Sequence, residues 1–446
     1  MEKYKAILGI TVAISLLSAV LIFLPAIFMP QGSDCDFEVT NNANVIEPTQ
    51  PALTRERHQW RPPELTREQF LEDFDFLITT LEENFPSFGV IYRRNGVDML
   101  ALAPELRERI LDESIEWDYA PFFNMLRQDF FRHAFPVGHL YLKSHQYFPP
   151  GPMNQRNVYA YFGGRLGNAM WHTDHHVLHI SNMYKGFSES QIVANIMQEG
   201  RVAYIRLPSS VMLDNAMPTP SNIRRVDDFY SQLEGAEHLI IDMRGILGGW
   251  PTALTRLLIA PLIDYPLETT FHQFIMAGDR NTRFMISMPR AIGERVPFYM
   301  DDLSYIFPHG GLTEAVAEDL RYMDYHIART ISVAPHPERR APFNGKVWLL
   351  TDMNNFSAAQ QVASFLHQTG FATLVGQTTG GAAADALTSS FNFTLPNTGF
   401  MVRYDPLYII SADGRPWEYG TVPHHFNRDG MNALQTVLAL IAEGNY

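Results

Sequence analysis

Residues 346–367 read KVWLLTDMNNFSAAQQVASFLH, and this stretch decides the fold class. The apolar run at 347–350 is typical of a buried strand, and the Ala-rich segment from Ala358 has the apolar spacing of a helix. Ser357 stands at the junction, where free amides and the helix dipole favour negative charge and so suit a nucleophile. A serine that merely caps the helix fits the same position, and the stretch alone leaves both interpretations open.

The same order of strand and helix recurs along the C-terminal half of the chain. We predict strands at 202–207, 238–243, 346–350, 372–375 and 401–404. We predict helices at 222–233, 252–259, 357–367 and 431–441. This alternation predicts an α/β core with largely parallel strands.

A small helical region precedes that core. Thr66 and Gln69 have the spacing of a capping box, and helical patterns follow at about 101–113 and 121–131. We therefore divide the chain into an N-terminal helical domain, a connecting mixed α/β region without a clear PDZ module, and the core, at 65–138, 139–201 and 202–446.

The N-terminus predicts a membrane anchor. Residues 6–29 carry no charged side chain and exceed the roughly 20 residues that cross a bilayer. Lys3 and Lys5 precede them, so the positive-inside rule keeps the N-terminus in the cytoplasm and places the rest outside, in the periplasm or the extracellular space. We favour an uncleaved signal anchor over a cleaved signal peptide, with a polar, Pro-bearing linker at 30–64.

Composition narrows the possible partners. The chain has 446 residues, of which 46% are hydrophobic, enough to bury a large core. Its net charge of −14 argues against nucleic acid as a partner, since binding phosphates needs a basic surplus. Cys35 is the single cysteine, which excludes an intramolecular disulfide.

Three further segments carry candidate chemistry. Paired glycines, Gly248 and Gly249, close the turn that follows the predicted strand at 238–243, and such turns let backbone amides approach a ligand. A second glycine turn covers 376–382, and the turn-rich stretch 413–423 contains Glu418. Taken singly, these segments also fit ordinary turns and a solvated acid.

Together, the ordered segments resemble the tail-specific (C-terminal-processing) serine peptidase family. The matching motifs are DMRGILGG at 242–249, SAAQ at 357–360, GQTTG at 376–380, LP at 395–396 and EYGTVP at 418–423. The resemblance covers about residues 200–446 and, more loosely, 65–140. It implies a crotonase-like ββα core and serine peptidase activity.

The family offers two bases for the serine, and the sequence discriminates between them. The processing branch uses a lysine just after the second glycine turn, but no lysine follows Lys346 in this chain. The branch of the tricorn core and the interphotoreceptor retinoid-binding modules uses a histidine from the N-terminal half. The resemblance implies His139, in PVGHLY at 136–141, as that base; His133 and His145 are rivals with a weaker motif match.

The resemblance also implies roles for the remaining site residues. Ser357 would be the nucleophile, His139 the base, and Glu418 the distal acid that orients the active-site groups. The oxyanion would be held by the backbone amides of Gly248 or Gly249 and of Ala358. We expect no cofactor and no metal, because the His-rich segment 172–179 lacks the spacing of an established metal motif.

The sequence thus predicts a membrane-anchored serine peptidase with a Ser-His-Glu site outside the cytoplasm. Its partners would be a peptide or protein substrate and, through the N-terminal helix, the membrane. Three positions depart from the family pattern, namely Ile246, Leu247 and Gln360. They motivate the alternative of an inactive relative that binds peptides or apolar ligands in the same cleft.

Overall fold

The computed structural model describes residues 63–143, 192–208, 219–287, 296–297, 303–307, 311–382 and 392–444. All of them belong to one compact unit, Gln59–Tyr446. The predicted anchor, Cys35, His145, the His-rich segment and most of the connecting region lie outside these ranges. No helix within the described ranges is long and apolar enough to cross a membrane.

Helices form the N-terminal region and cover the sheets of the core. In chain order they are α1 (Arg67–Asn84), α2 (Phe88–Asn95), α3 (Met99–Leu111), α4 (Tyr119–Met125), α5 (Pro220–Tyr230), α6 (Pro251–Leu254), α7 (Asp279–Ser287), α8 (Leu303–Ile306), α9 (Glu314–Leu320), α10 (Ala358–Gln368) and α11 (Ala433–Glu443). Helices α4 and α6 each continue into a π-helical turn, Leu126–Phe130 and Thr255–Ile259.

The strands form three sheets. They are β1 (Tyr141–Leu142), β2 (Val193–Gln198), β3 (Val202–Arg206), β4 (His238–Asp242), β5 (Leu267–Ile275), β6 (Val296–Pro297), β7 (Tyr325–Val333), β8 (Lys346–Thr351), β9 (Ala372–Gly376), β10 (Asn392–Thr394), β11 (Met401–Arg403), β12 (Leu407–Ser411) and β13 (His425–Phe426). The central sheet has the order β13-β9-β8-β4-β3-β2, and the other two have the orders β12-β5-β7-β6 and β1-β11-β10.

The central sheet is parallel except at β2. Its inner strands are apolar on both faces because helices cover both faces of the sheet. Leu239, Ile241 and Leu349 point to the face covered by α5, α6 and α10. Ile240 and Trp348 point to the opposite face, which α11 covers. The period of two along each strand therefore builds two apolar layers from one continuous hydrophobic run.

The N-terminal helices pack against the smaller sheets. The predicted capping box of α1 is present, with Thr66 and Gln69 each bonding the other's backbone amide. The apolar faces of the N-terminal helices share one hydrophobic cluster with residues of later strands, among them Phe274, Phe393 and Tyr408. This contact brings the end of the helical region, where His139 lies, to the core.

The structure confirms a mixed α/β fold with a central sheet. The four predicted strands between 202 and 375 lie within one residue of β3, β4, β8 and β9. The prediction that 401–404 belongs to the same alternation is wrong, since β11 lies in the three-stranded antiparallel sheet. The domain boundaries at 64, 138 and 201 stay predictions.

Candidate active site

The site forms at the carboxyl edge of the central sheet. β4 and β8 are parallel neighbours, so the turns that follow them lie side by side. The first turn contains Gly248 and the second ends at Ser357. A Cβ on Gly248 would lie 3.0 Å from Ser357 Cβ and 3.2 Å from the Phe356 carbonyl oxygen. Gly248 also has a φ of 145°, which L side chains rarely adopt, so the close contact and the backbone conformation both favour glycine at this position.

Ser357 does not cap α10. It occupies the N-cap position, but its side chain makes no capping hydrogen bond and its backbone has φ 56° and ψ −121°. A non-glycine residue in such a conformation costs about 1–3 kcal/mol and persists only where its surroundings impose it. The strained turn instead directs Oγ toward His139. The geometry therefore favours the nucleophile interpretation over the cap.

Backbone strain is concentrated at this site. Within the described ranges, the non-glycine residues with positive φ are His139 at 42°, Ser357 at 56° and Ala382 at 49°. Two of them are the predicted nucleophile and base, and Ala382 follows the segment that pairs with the nucleophile's turn. Strained conformations cluster at functional sites, so their position supports a functional role for this edge of the sheet.

Hydrogen bonds hold the turn of Ser357 on both sides. The buried side-chain amide of Asn355 donates to the backbone carbonyls of Met243 and Ile246, which ties the turn of Ser357 to the turn after β4. On the other side, the Ser357 amide donates to the Gly381 carbonyl at 3.0 Å. Hydrogen bonds to the turn after β4 and to Gly381 thus hold Ser357 in its strained backbone conformation.

His139 lies within hydrogen-bond reach of Ser357. Its Nε2 is 3.0 Å from Ser357 Oγ, and its Nδ1 is 2.5 Å from Oδ2 of Asp405. A carboxylate only accepts hydrogen bonds, so Nδ1 carries the proton and Nε2 accepts from the serine hydroxyl. Of the two rivals, His133 interacts with Arg132 instead, and His145 lies outside the described residues.

Asp405 is the site residue that sequence reasoning missed. It lies between β11 and β12, is 2% exposed, and stands 266 residues from its histidine partner. The backbone amide of Asp405 donates to the Gly138 carbonyl at 2.7 Å. Because Gly138 directly precedes His139, this bond holds Asp405 next to the histidine. The available signal was a single acid in YDP, between two apolar strands.

Glu418 does not occupy the position against the imidazole that the distal acid was expected to fill. It is buried, and its Oε2 accepts the Gly138 amide at 3.0 Å. Asp405 is the acid that contacts the His139 ring, whereas Glu418 contacts the backbone of the residue before it. Burial and the neighbouring Asp405 carboxylate raise the pKa of Glu418 to about 8, against the effects of the Gly138 amide and Arg94.

Arg94 links the two sides of the site from helix α2. Its guanidinium donates to the Gly380 carbonyl at 2.8 Å and to the Glu418 carbonyl. Gly380 precedes the residue that binds the Ser357 amide, and the Glu418 side chain binds the residue before His139. One side chain therefore braces the segments that hold both the serine and the histidine.

The predicted oxyanion donors surround Ser357. A Cβ on Gly248 would lie 3.6 Å from the Ala358 nitrogen, so these two residues face the serine from adjoining turns. Within the described part of the chain, the amides of Gly248, Gly249 and Ala358 donate to no carbonyl or side chain. Amides so placed can bind the negative oxygen of a tetrahedral intermediate.

Two of the three departures from the family pattern, Ile246 and Gln360, have a structural explanation away from Ser357 and His139. The Ile246 side chain is buried in the hydrophobic cluster beneath α10. Gln360 is buried and joins α10 to two loops: its amide donates to Thr421 Oγ1, and its carbonyl accepts from Thr379 and from the Thr421 amide. Leu247 is half-buried, and nothing in the structure explains it further.

The described residues include no group of three or more His, Cys, Asp or Glu side chains arranged to hold a metal ion. The side chains that contact one another at this edge are the Ser357 hydroxyl, the His139 imidazole and the Asp405 carboxylate. Their order is that of a nucleophile, a base and a group that orients the base.

Comparison with known proteins identifies the family. The model of peptidase family S41 matches residues 201–425. The chain belongs to peptidase family S41. The matched residues contain Ser357, Asp405 and Glu418, whereas His139 lies before them. No curated protein matches the chain in sequence.

Solved structures share the fold at low sequence identity. Mature CPAF in complex with lactacystin aligns with a TM-score of 0.53 and 14% identity over 85% of this chain and 99% of that one. Mature CPAF alone gives 0.51 and 14% over 85% and 98%. A protein of Parabacteroides merdae gives 0.49 and 14% over 85% and 97%. At these identities, the two CPAF structures support the fold alone.

Proposed function

We propose that this S41 member is an active serine peptidase that cleaves peptide bonds through Ser357, His139 and Asp405. The observation that carries the proposal is the continuous chain of contacts from Ser357 Oγ to His139, at 3.0 Å, and from His139 to Asp405, at 2.5 Å. All three residues sit in positions that the fold imposes at a cost in backbone strain or burial, which a binding cleft alone would not require.

The proposed reaction follows the general logic of nucleophilic acyl transfer. His139 takes the proton of Ser357 as the oxygen attacks the scissile carbonyl, and Asp405 stabilises the imidazolium that forms. The amides of Gly248, Gly249 and Ala358 bind the oxyanion. His139 then returns the proton to the leaving amine, and water releases the acyl group by the reverse sequence.

Glu418 has a positioning role in this proposal. A carboxyl with a pKa of about 8 is mostly protonated at neutral pH, so the site buries one negative charge, on Asp405, rather than two. The Glu418 oxygen holds the Gly138 amide, and the Gly138 carbonyl holds Asp405. The site is thus a Ser-His-Asp arrangement with a glutamate behind it, instead of the Ser-His-Glu arrangement expected from sequence.

We also propose the crotonase-like ββα description of the core and a position nearer the tricorn branch than the Ser–Lys branch. The missing lysine after Lys346 supports the second point. The proposed partners are a peptide or protein substrate and, through residues 6–29, a membrane, with the catalytic unit outside the cytoplasm. The apolar N-terminal sequence and its flanking lysines support that location.

The ligand-binding alternative is not favoured. Of the apolar departures that motivate it, Ile246 lies in the core under α10 rather than in the site. Ser357 and Asp405 are each within hydrogen-bonding distance of His139, as the peptidase reaction requires.

Hydrolysis of a mixed peptide library tests the proposal. We expect wild-type protein to cleave a subset of peptides and Ser357→Ala and His139→Gln to cleave none of that subset. Folding of both variants is checked by thermal unfolding. Cleavage of the same bonds by folded Ser357→Ala would reject the assignment of the nucleophile.

A further inference from the structure

Two aromatic side chains lie beside the histidine of the site without a role in the proposed chemistry. Phe135 is 48% exposed, and its ring stacks on that of Phe356 at 5.9 Å between centroids and 30° between planes. The Phe356 ring lies 4.8 Å from the His139 ring. We refer to Phe135 and Phe356 as the aromatic shelf.

The shelf is built on fixed backbone. The Asn95 side chain donates to the carbonyls of His133 and Phe135, at 2.7 and 3.0 Å, and so holds the loop that presents Phe135. Phe356 precedes the nucleophile and forms a β-bridge with Gly381. A single exposed aromatic ring is ordinary, but a stacked pair on two braced segments beside a nucleophile offers a preformed apolar contact.

The position of the shelf fixes the part of the substrate it can touch. In the proposed reaction His139 gives its proton to the leaving amine, so the leaving segment of the peptide passes the imidazole. The Phe356 ring contacts that imidazole, whereas the oxyanion donors adjoin Ser357 itself, Gly248 from the turn after β4 and Ala358 as the next residue of the chain. The shelf therefore lies on the side of the leaving segment.

We propose that the aromatic shelf binds a large apolar side chain on the residue that immediately follows the scissile bond. This inference rests on the proposed peptidase function and specifies its substrate class: peptides with an aromatic or large aliphatic residue at that position. Aromatic rings on a rigid support give large contact area at low entropic cost, which suits discrimination by an apolar side chain.

A pair of matched peptides tests the shelf. The two differ only after the scissile bond, one with Phe and one with Gly, and kcat/KM is measured for wild type, Phe135→Ala and Phe426→Ala. Phe426 is 59% exposed on β13 and serves as the matched control. We expect wild type to prefer the Phe peptide by about ten-fold or more, the range of one apolar contact. Phe135→Ala should lose most of that preference and Phe426→Ala none.

A second measurement distinguishes an effect on substrate binding at the shelf from an effect on the catalytic groups. Labelling of Ser357 by a small fluorophosphonate, which has no peptide leaving segment, should proceed at the wild-type rate in Phe135→Ala. Equal loss with both peptides, or slower labelling, would overturn the shelf as a leaving-side contact and assign Phe135 a structural role. Turnover that depends on Ser357 but shows no preference would reject the shelf alone. Turnover or labelling independent of Ser357 would reject the proposed function as well.

Acyl transfer probes the same contact in reverse. When the acyl-enzyme reacts with an amine, the nitrogen attacks the acyl carbon and gives one proton to His139. The ester bond to Ser357 Oγ then breaks, and His139 passes that proton to the serine oxygen. Phenylalaninamide should therefore capture the acyl group from an ester substrate about ten-fold better than glycinamide in wild type. Equal capture of the two amines by wild type would contradict the shelf.

Discussion

Replacing Asp405 with Asn changes the site in a way that the structure makes specific. The substitution keeps the size and most of the packing of a side chain that is 2% exposed. It removes the negative charge from the 2.5 Å contact with His139 Nδ1. An amide nitrogen facing Nδ1 would also donate to it, which would place the imidazole proton on Nε2 and prevent that atom from accepting from Ser357.

Two contributions set the expected magnitude. A hydrogen bond to a charged group contributes about 1.5–3 kcal/mol, which alone corresponds to roughly 10- to 150-fold in rate when the imidazolium forms. The wrong tautomer adds to this, and the comparable change in serine proteases of another fold lowers kcat about 10⁴-fold. We therefore expect Asp405→Asn to lower kcat by about 10³- to 10⁴-fold.

The assay is turnover of a cleaved peptide, with the rate of fluorophosphonate labelling as a second readout. Asp264→Asn is the control, because Asp264 is exposed and pairs with Arg340 on the surface. Thermal unfolding shows whether each variant folds. Retention of more than about a tenth of wild-type turnover by folded Asp405→Asn would refute the assignment of Asp405.

Three further predictions concern the groups around the triad. The folded protein keeps a proton on Glu418 between the ordinary pKa of 4.5 and about 8, so the wild-type free energy of unfolding should fall as pH rises through that range, by up to about 1.4 kcal/mol per pH unit. Urea unfolding should show a weaker fall in Glu418→Gln. An unchanged slope in this variant would argue against a buried neutral carboxyl. Arg94→Met should lower kcat at least about ten-fold, because it leaves the Gly380 and Glu418 backbone carbonyls without this donor, and Arg94→Lys should have a smaller effect. Equal kinetics in the wild type and both variants would exclude bracing by Arg94. Gly248→Ala should lower kcat/KM by about 10²-fold or more, since the added Cβ would press on Ser357. Gly200 also has a positive φ but open space around it, so Gly200→Ala should keep wild-type kcat/KM. Similar losses in both variants would point to global destabilisation.

The central sheet was predictable because its strands are short, continuous apolar runs between turn residues. Val347–Leu350 and its counterparts carry the same signal wherever a strand is covered on both faces. The long antiparallel pair of β5 and β7 was missed, since LETTFHQFI and YHIARTISV mix polar residues into both faces. Half-covered strands depend on packing that a single sequence does not reveal.

The site was predictable to the extent that local motifs carry it. Ser357 and His139 lie in glycine- and turn-rich segments that match a family pattern. Asp405 has no such motif, and its role depends on a contact between residues 266 positions apart together with the bond from its amide to Gly138. Glu418 has the motif but serves the neighbouring Gly138, a difference of one residue that only the three-dimensional arrangement decides.

The central claim is that Ser357 is a nucleophile activated by His139. Treating folded wild-type protein with a fluorophosphonate and locating the adduct by peptide mass spectrometry tests it directly. The account predicts a single adduct on Ser357, formed at a rate that falls at least about 10³-fold in His139→Gln. No adduct on Ser357 in folded protein, or an adduct that forms equally fast without His139, would contradict it.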